Sequence, residues 1–307
     1  MAKPRNKVID LAQYVGLRTA AMLLCSFPVD ANLRAARKLG NLMYAFDRKH
    51  RDRAMENLRR AFPEMPDDRR AALARRSMQH LIMLAVETLF TTRLVHLETW
   101  GRYCELENFQ EVLQLLLNRN QSLIMLTGHY GNWEILGYVL GTLGFETTSI
   151  ARPLDNPYVN QWLLGVREKK GQKILAKKGA TSEVTQVLDG GGALSLIADQ
   201  DAGKKGIFVS FFGRPACTYK SIGLLAMQYK APIVVGFARR VGDFKFKVSV
   251  QEIIHPQEWS EQDDPLRYIT QRYTAAIETF VRKDPEQYLW VHRRWKTRPK
   301  SEAAVAR

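Results

Sequence analysis

Cysteine is scarce in this sequence: Cys25, Cys104 and Cys217 are far apart and form no Cys-x-x-Cys pair. That argues against a disulfide framework and a cysteine-ligated structural zinc, and it fits a reducing compartment. Several chemistry-bearing patterns are lacking as well. There is no Gly-x-Ser-x-Gly elbow, no Gly-x4-Gly-Lys-Ser/Thr phosphate loop, no dinucleotide glycine fingerprint, and no His-x3-His or Cys/His cluster. A serine nucleophile, nucleotide chemistry and a metal centre therefore have no support, and no cofactor is expected. No internal repeat or low-complexity segment occurs, and Gly190-Gly191-Gly192 supplies only a turn. Also missing is an uninterrupted run of about 20 apolar residues, the length needed to cross a bilayer as a helix.

What is present is ordinary globular composition: 307 residues, 46% hydrophobic and 25% charged. It predicts one large α/β domain with an N-terminal helical extension. Forty-six Lys and Arg against 31 Asp and Glu leave +15, unevenly placed. Residues 1–80 carry 17 basic and 8 acidic side chains, residues 81–281 carry 21 and 20, and residues 282–307 carry 8 and 3. A neutral body with basic ends suits a polyanion, either nucleic acid or an anionic membrane face. Residues 11–29 favour the membrane: 13 of these 19 are apolar, interrupted by Arg18 and preceded by Lys3, Arg5 and Lys7. Such a segment reads as an interfacial or partly inserted anchor whose Arg18 reaches headgroups, the alternative being a surface helix packed on its own domain. A cleaved leader is disfavoured, because Ser26-Phe27-Pro28-Val29-Asp30 offers no small-x-small site.

The pattern divides the chain into a membrane-associating helix over 1–29 and a catalytic domain over 30–307, helical in 30–99 and α/β in 100–307. Apolar spacing predicts three helices between residues 30 and 90, with Pro63 and Pro66 separating the last two and Asp67 or Asp68 as an N-cap. The arginine pairs Arg59-Arg60, Arg69-Arg70 and Arg75-Arg76 read either as solvated faces or as headgroup-facing ones. Beyond Trp100 short apolar runs alternate with amphipathic segments, predicting a mixed central sheet flanked by helices. Strands are expected over 122–126, 147–151, 173–175, 193–198, 207–211 and 232–238, with a half-exposed one at Phe246, Val248 and Val250. Helices are expected over 132–141, 157–170, 181–188 and 220–229. A last one opens at Pro265, with Ile269, Tyr273, Ile277 and Phe280 as its packing stripe.

One histidine of six stands where chemistry belongs. His129 follows a buried strand within Thr127-Gly128-His129-Tyr130-Gly131-Asn132-Trp133-Glu134, and ligands of open α/β sheets gather at the carboxyl ends of strands. Glu134 falls in the first turn of the next helix if Asn132 caps it. The expected arrangement is a carboxylate folded back on one imidazole nitrogen, leaving the other to take a proton from a hydroxyl. The bland alternative is a histidine that only ties down its own loop.

These residues resemble the histidine-x4-acid motif of glycerolipid acyltransferases and, more closely, the lipid A late acyltransferases that transfer lauroyl and myristoyl groups. Five ordered segments carry the likeness. They are Asn57-Leu58 with Ala61-Phe62-Pro63-Glu64; Gly128 to Glu134; Arg152-Pro153-Leu154-Asp155-Asn156-Pro157; Asp199-Gln200-Asp201-Ala202-Gly203 with Gly206, Phe211-Phe212-Gly213 and Ala216; and Pro285-Glu286-Gln287-Tyr288-Leu289-Trp290-Val291-His292-Arg293-Arg294-Trp295. The resemblance implies acyl transfer from acyl carrier protein, or from coenzyme A, to a hydroxyl of a phosphorylated glycolipid at the cytoplasmic face of an inner membrane. His129 is then the base and Glu134 its orienting partner. Arg152 either binds a phosphate or the developing oxyanion, or pairs with Asp155 or Asp199. Asp199 meets acceptor hydroxyls, while Asn156, Gln200 and Asp201 either contact substrate or shape turns. Trp290 and Trp295 either line an interfacial belt or pack inside. Three alternatives stand beside this reading: a different glycolipid acceptor, an aminolipid acceptor, and a non-catalytic basic protein. Nucleic acid is not expected, because aromatic and basic residues do not interleave on the predicted strands.

Overall fold

The computed structural model describes residues 6–177 and 179–299. Lys3, Arg5 and Lys300, counted above among the basic ends, lie outside the described residues. Four helices come first: α1 (Lys7–Cys25), α2 (Val29–Phe46), α3 (Arg48–Ala61) and α4 (Asp67–Leu94). A one-turn α5 (Trp100–Tyr103) leads into β1 (Cys104–Glu107) and α6 (Gln110–Leu117). Strands and helices then alternate through β2 (Leu123–Thr127), α7 (Trp133–Thr142), β3 (Thr147–Ala151), α8 (Pro157–Glu168), β4 (Gln172–Ala176), α9 (Thr181–Asp189) and β5 (Ala193–Ile197). After the hairpin of β6 (Ile207–Phe211) and β7 (Arg214–Thr218) come α10 (Lys220–Tyr229), β8 (Ile233–Gly242), β9 (Lys245–Ile254), α11 (Pro256–Ser260) and α12 (Pro265–Lys283).

Seven strands form one sheet in the order β1-β9-β8-β2-β5-β3-β4, and only the β8–β9 pair is antiparallel. The expected mixed α/β architecture is therefore what the chain adopts. Every residue of β2 is buried, because both faces of the sheet are covered. On one face Ile124 and Leu126 meet Leu58 of α3 and Ile277 and Phe280 of α12. On the other, Leu123 and Met125 meet Phe90 of α4 and Tyr138 of α7. Ile269, Tyr273, Ile277 and Phe280 are all buried, as the stripe requires. Trp290 and Trp295 are buried too, which settles their alternatives in favour of internal packing.

The sequence reading missed two strands. β1 is a four-residue edge with its glutamates outward, and β7 carries Pro215, which lowers its strand signal. Nor does Asp67 or Asp68 cap α4: Pro66, in extended conformation, occupies that position and both aspartates stand in the first turn. Pro66 has ψ 149, which turns the chain into the helix one residue earlier.

α1 has 19 residues with a mean hydropathy of 1.3, and only 11% of its apolar window is buried. By length and composition it can cross a membrane, which goes further than the short charge-free stretch suggested. Val8, Ile9, Leu11, Val15, Met22 and Leu23 are exposed. Its inner side docks on α8, where Tyr14 meets Tyr158 and the Arg18 guanidinium lies 5.3 Å from the Trp162 ring centroid. Asn156 at the head of α8 donates to the Asp10 carbonyl (2.9 Å).

Candidate active site

The loop between β2 and α7 is fixed almost group by group. Asn132 caps α7, its side-chain oxygen accepting the Ile135 N–H at 2.9 Å. Gly131 sits at φ +58, and a Cβ there would lie 2.0 Å from the Ala238 carbonyl oxygen, so only glycine fits. The Gly131 N–H donates to the Gln287 carbonyl (3.0 Å), and the Leu289 N–H donates to the His129 carbonyl (2.9 Å). The C-terminal segment thus forms one wall of the loop.

Behind that loop lies a buried polar network. Glu87 of α4 is fully buried and accepts both from the Arg240 guanidinium, through Nε and Nη2, and from Asn132 Nδ2 (2.9 Å). Arg240 Nη1 also donates to His80 Nδ1 at 2.6 Å, which leaves His80 Nε2–H to donate to the Gly131 carbonyl at 3.0 Å. Burial, aided by the Arg240 charge, holds the His80 pKa well below 6.5, so its imidazole is neutral near pH 7. Gln287 completes the ring, accepting the Arg240 N–H (2.9 Å) and donating to its carbonyl (3.0 Å).

His129 is held by Asp199. The Asp199 carboxylate accepts the His129 backbone N–H through Oδ2 (2.9 Å) and the ring Nδ1–H through Oδ1 (2.8 Å). Parallel pairing explains this. β2 and β5 run in register with Thr127 opposite Ile197, so the second residue past each strand end comes side by side. Burial raises the Asp199 pKa, but the charge and hydrogen bonds of His129 outweigh it, and the carboxyl stays well below its ordinary range. With Nδ1–H donating, Nε2 keeps its lone pair, and it has no hydrogen-bonded partner among the described residues. Two rings pack edge-on against the imidazole: Trp133, 5.0 Å between centroids, and His292, 4.1 Å. His292 Nδ1 is sealed from solvent and unpartnered. Burial and the His129 charge push the His292 pKa down to about 4.

The expectation that Glu134 folds back onto His129 is corrected. Glu134 Oε1 and Oε2 accept a bidentate bond from Arg167 of α8, at 2.6 and 2.8 Å. Beyond the sharp turn at Gly131, the first turn of α7 aims this carboxylate along the helix toward α8 and away from the loop. Glu134, Arg167 and Trp133 are among the residues that line a cavity of about 110 Å³ between α7 and the sheet. Its walls are largely apolar, with Met125, Leu140, Ile150, Ile197 and Val234 among them. Because Trp133 also touches His129, a single indole connects the imidazole to the cavity.

The other expected residues do not join this group. Arg152 is exposed and reaches Asp155 at 3.4 Å, the salt bridge weighed above. Asn156 caps α8, with its oxygen accepting from Tyr158 and Val159. Gln200 contributes its backbone carbonyl to Arg294 (3.4 Å), and Asp201 binds Gly203 N–H and Thr297. Sequence reasoning missed Arg167, His292, Glu87, Arg240 and His80. Only His292 had a signal, since it lies inside the closing segment, and the rest look like ordinary helix and strand residues.

The family model for the bacterial lipid A biosynthesis acyltransferases matches residues 5–297. A lipid A biosynthesis acyltransferase of Haemophilus influenzae is 25% identical, with 92% of this chain and 86% of the relative covered. The lipid A biosynthesis lauroyltransferase of Escherichia coli K12 is 24% identical over 90% of this chain and 89% of its own length. The lipid A biosynthesis acyltransferase 2 of Shigella flexneri is 26% identical over 87% and 84%. Among solved structures, the 1-acyl-sn-glycerophosphate acyltransferase PlsC of Thermotoga maritima superposes with a TM-score of 0.36 at 14% identity, covering 82% of this chain and 95% of that one. With the family model spanning nearly the whole chain and the relatives covered over most of their own length, this protein is an enzyme of the bacterial lipid A biosynthesis acyltransferase family.

Proposed function

We propose that the protein moves a fatty acyl chain from a carrier-protein thioester to a hydroxyl of a lipid A precursor, with His129 as general base. The observation that carries this reading is the Asp199-held imidazole with a free Nε2, coupled through Trp133 to an apolar cavity at the carboxyl edge of the sheet. A thioester is already activated, so the enzyme needs a base, a place for the oxyanion and alignment of two lipids. Nε2 takes the acceptor hydroxyl proton as its oxygen attacks the thioester carbonyl, and Asp199 stabilises the imidazolium that results. When the tetrahedral intermediate collapses, the C–S bond breaks and the proton passes to the thiolate. The apolar cavity accommodates the acyl chain, while the Arg167 guanidinium in its lining, oriented by Glu134, supplies positive charge near the reacting carbonyl.

The +15 charge and the basic ends suit an acidic carrier protein and a phosphorylated acceptor, and coenzyme A is the alternative donor. The exposed apolar side of α1 suits docking on the cytoplasmic face of an inner membrane, beside its lipid acceptor. The test is an assay with purified enzyme, labelled acyl carrier protein or acyl-coenzyme A, and a panel of lipid A precursors and other glycolipids. Acyl ester on a lipid A precursor that disappears with His129→Ala is the expected result. Transfer that survives this change refutes His129 as base, and transfer only to another lipid refutes the acceptor.

A further inference from the structure

Asp199 and His129 share one proton, and His292 brings an unused lone pair to the same corner. His129, Asp199 and His292 each offer a ligating atom, and these atoms all lie within 4.8 Å of one another. Two imidazoles and one carboxylate are a donor set that suits zinc and neighbouring d-block cations and suits magnesium or calcium poorly. The Asp199 side chain is 1% exposed, and that of His129 is 12% exposed. His292 Nδ1 is out of contact with solvent and has no hydrogen-bond partner. A buried polar nitrogen left unsatisfied is costly and calls for an explanation, and a ligand nitrogen is one. The segment bearing His292 is firmly placed: its carbonyl accepts from Asn57 Nδ2 at 2.6 Å, and its N–H donates to the Leu289 carbonyl at 3.2 Å.

The geometry points to an inhibitory divalent-cation site in which Zn²⁺ takes the place of the proton between His129 Nδ1 and Asp199 Oδ1, with His292 as third ligand. Oxidation states do not change. One N–H bond breaks, its proton leaves to solvent, and three coordinate bonds form, with water filling the fourth tetrahedral position. Tetrahedral coordination separates ligand atoms by about 3.3 Å, so the 2.8 Å His129 Nδ1–Asp199 Oδ1 pair opens slightly and His292 closes in, by side-chain rotations that leave the backbone of both strands in place. The consequence for catalysis is direct. An imidazole tied to a metal through Nδ1, with its carboxylate drawn into coordination, is no longer oriented or charged to accept a hydroxyl proton. The three ligands are 70 and 93 positions apart, so no local spacing motif could have revealed them.

The test needs no assumption about the substrate. Tag-free full-length enzyme in detergent, stripped with chelator, is titrated with Zn²⁺ by calorimetry and with Co²⁺ by visible absorption. Expected are one Zn²⁺ per chain, a tetrahedral Co²⁺ spectrum, no comparable binding of Mg²⁺, and affinity weakened at least about tenfold by His292→Ala and by the closer-shaped His292→Gln. Circular dichroism establishes that the variants are folded, and His255→Ala serves as a surface control that leaves binding unchanged. Absence of stoichiometric binding, or binding that both His292 variants leave intact, overturns the site. Where acyl transfer is measured, Zn²⁺ suppresses it and chelator restores it. Zn²⁺ bound at this site without loss of transfer overturns the inhibitory role, whereas lack of transfer in metal-free enzyme bears on the proposed function alone.

Discussion

The buried pair of Glu87 and Arg240 allows a sharp test of what holds the His129 loop. Glu87 has no solvent exposure and the Arg240 side chain is 9% exposed, so each depends on the other for charge compensation. Glu87→Gln removes one charge, strands the guanidinium and disturbs the bond to Asn132, which is both the α7 cap and the end of the loop. Breaking a buried pair on one side costs about 3–5 kcal/mol, and at this chain length that is a fall of roughly 5–8 °C in melting temperature. Replacing both partners with apolar residues of similar volume, as in Glu87→Leu with Arg240→Met, removes the stranded charge and recovers most of that loss. Stability and activity then separate. The double variant still lacks the groups that hold His80 and Asn132 in place, so its kcat stays well below wild type while its melting temperature returns. Differential scanning calorimetry on Glu87→Leu, Arg240→Met and the double, together with kcat and KM, gives a full cycle. A Glu87→Gln enzyme within 1 kcal/mol of wild type, or a double variant no more stable than the singles, refutes the reasoning.

Asp199→Asn and Glu134→Gln separate the carboxylate that holds the base from the one that holds Arg167. The first lowers kcat by roughly 10²–10⁴ with KM little changed, as loss of general-base catalysis does, while the second leaves the imidazole ionisation in the kcat/KM pH profile where it was. Equal displacement of that ionisation by both changes refutes the assignment. Gly131→Ala drives a methyl into the Ala238 carbonyl and forces a positive φ on alanine; soluble yield and melting temperature both fall, and a normal enzyme contradicts the described loop. Acid stability follows from buried neutral histidines. His292, facing His129, Asp199 and Arg53, is depressed from 6.5 to about 4, and burial holds His80 well below 6.5 as well. A depressed folded-state pKa gives stability that is present above 6.5 and lost as pH falls through the folded value. His292 alone removes about 3 kcal/mol between pH 6.5 and 4, and denaturant melts across that window that show no loss refute it.

How much of this was legible depended on whether a residue's role is set by its near neighbours in sequence. His129 was, because a glycine-bounded loop after a fully apolar strand marks a strand's carboxyl end wherever the sheet lies. Asn132 as cap and the stripe through Ile269, Tyr273, Ile277 and Phe280 were legible for the same reason, since capping and helical period operate over a few residues. Glu134 was read with the same local logic and was placed with the wrong partner. A spacing of five suggested reach, but the turn at Gly131 and the axis of α7 carry the carboxylate toward α8. Asp199 could be ranked only as a substrate-binding residue, because its pairing depends on the register of two parallel strands separated by three helices and two further strands.

That register also gives the candidate site the stiffness that the proposed chemistry requires. A carboxylate on the first turn of a helix would share that helix's motions and hold the ring through one side chain alone. Asp199 instead grips both the backbone N–H and the ring nitrogen of His129, from the end of a strand hydrogen-bonded to the strand that delivers the histidine. The next hydrogen bond of the ladder, Ala198 N–H to the Thr127 carbonyl at 2.8 Å, lies immediately behind. Displacing the backbone of His129 relative to that of Asp199 therefore requires breaking the central pairing of the sheet, where Ile124, Leu126 and Leu194 are buried. Glu134 is thereby released for a different task, orienting Arg167 in the lining of the cavity. An acid five residues beyond the histidine is thus compatible with two distinct jobs, and the neighbouring guanidinium decides which one it performs.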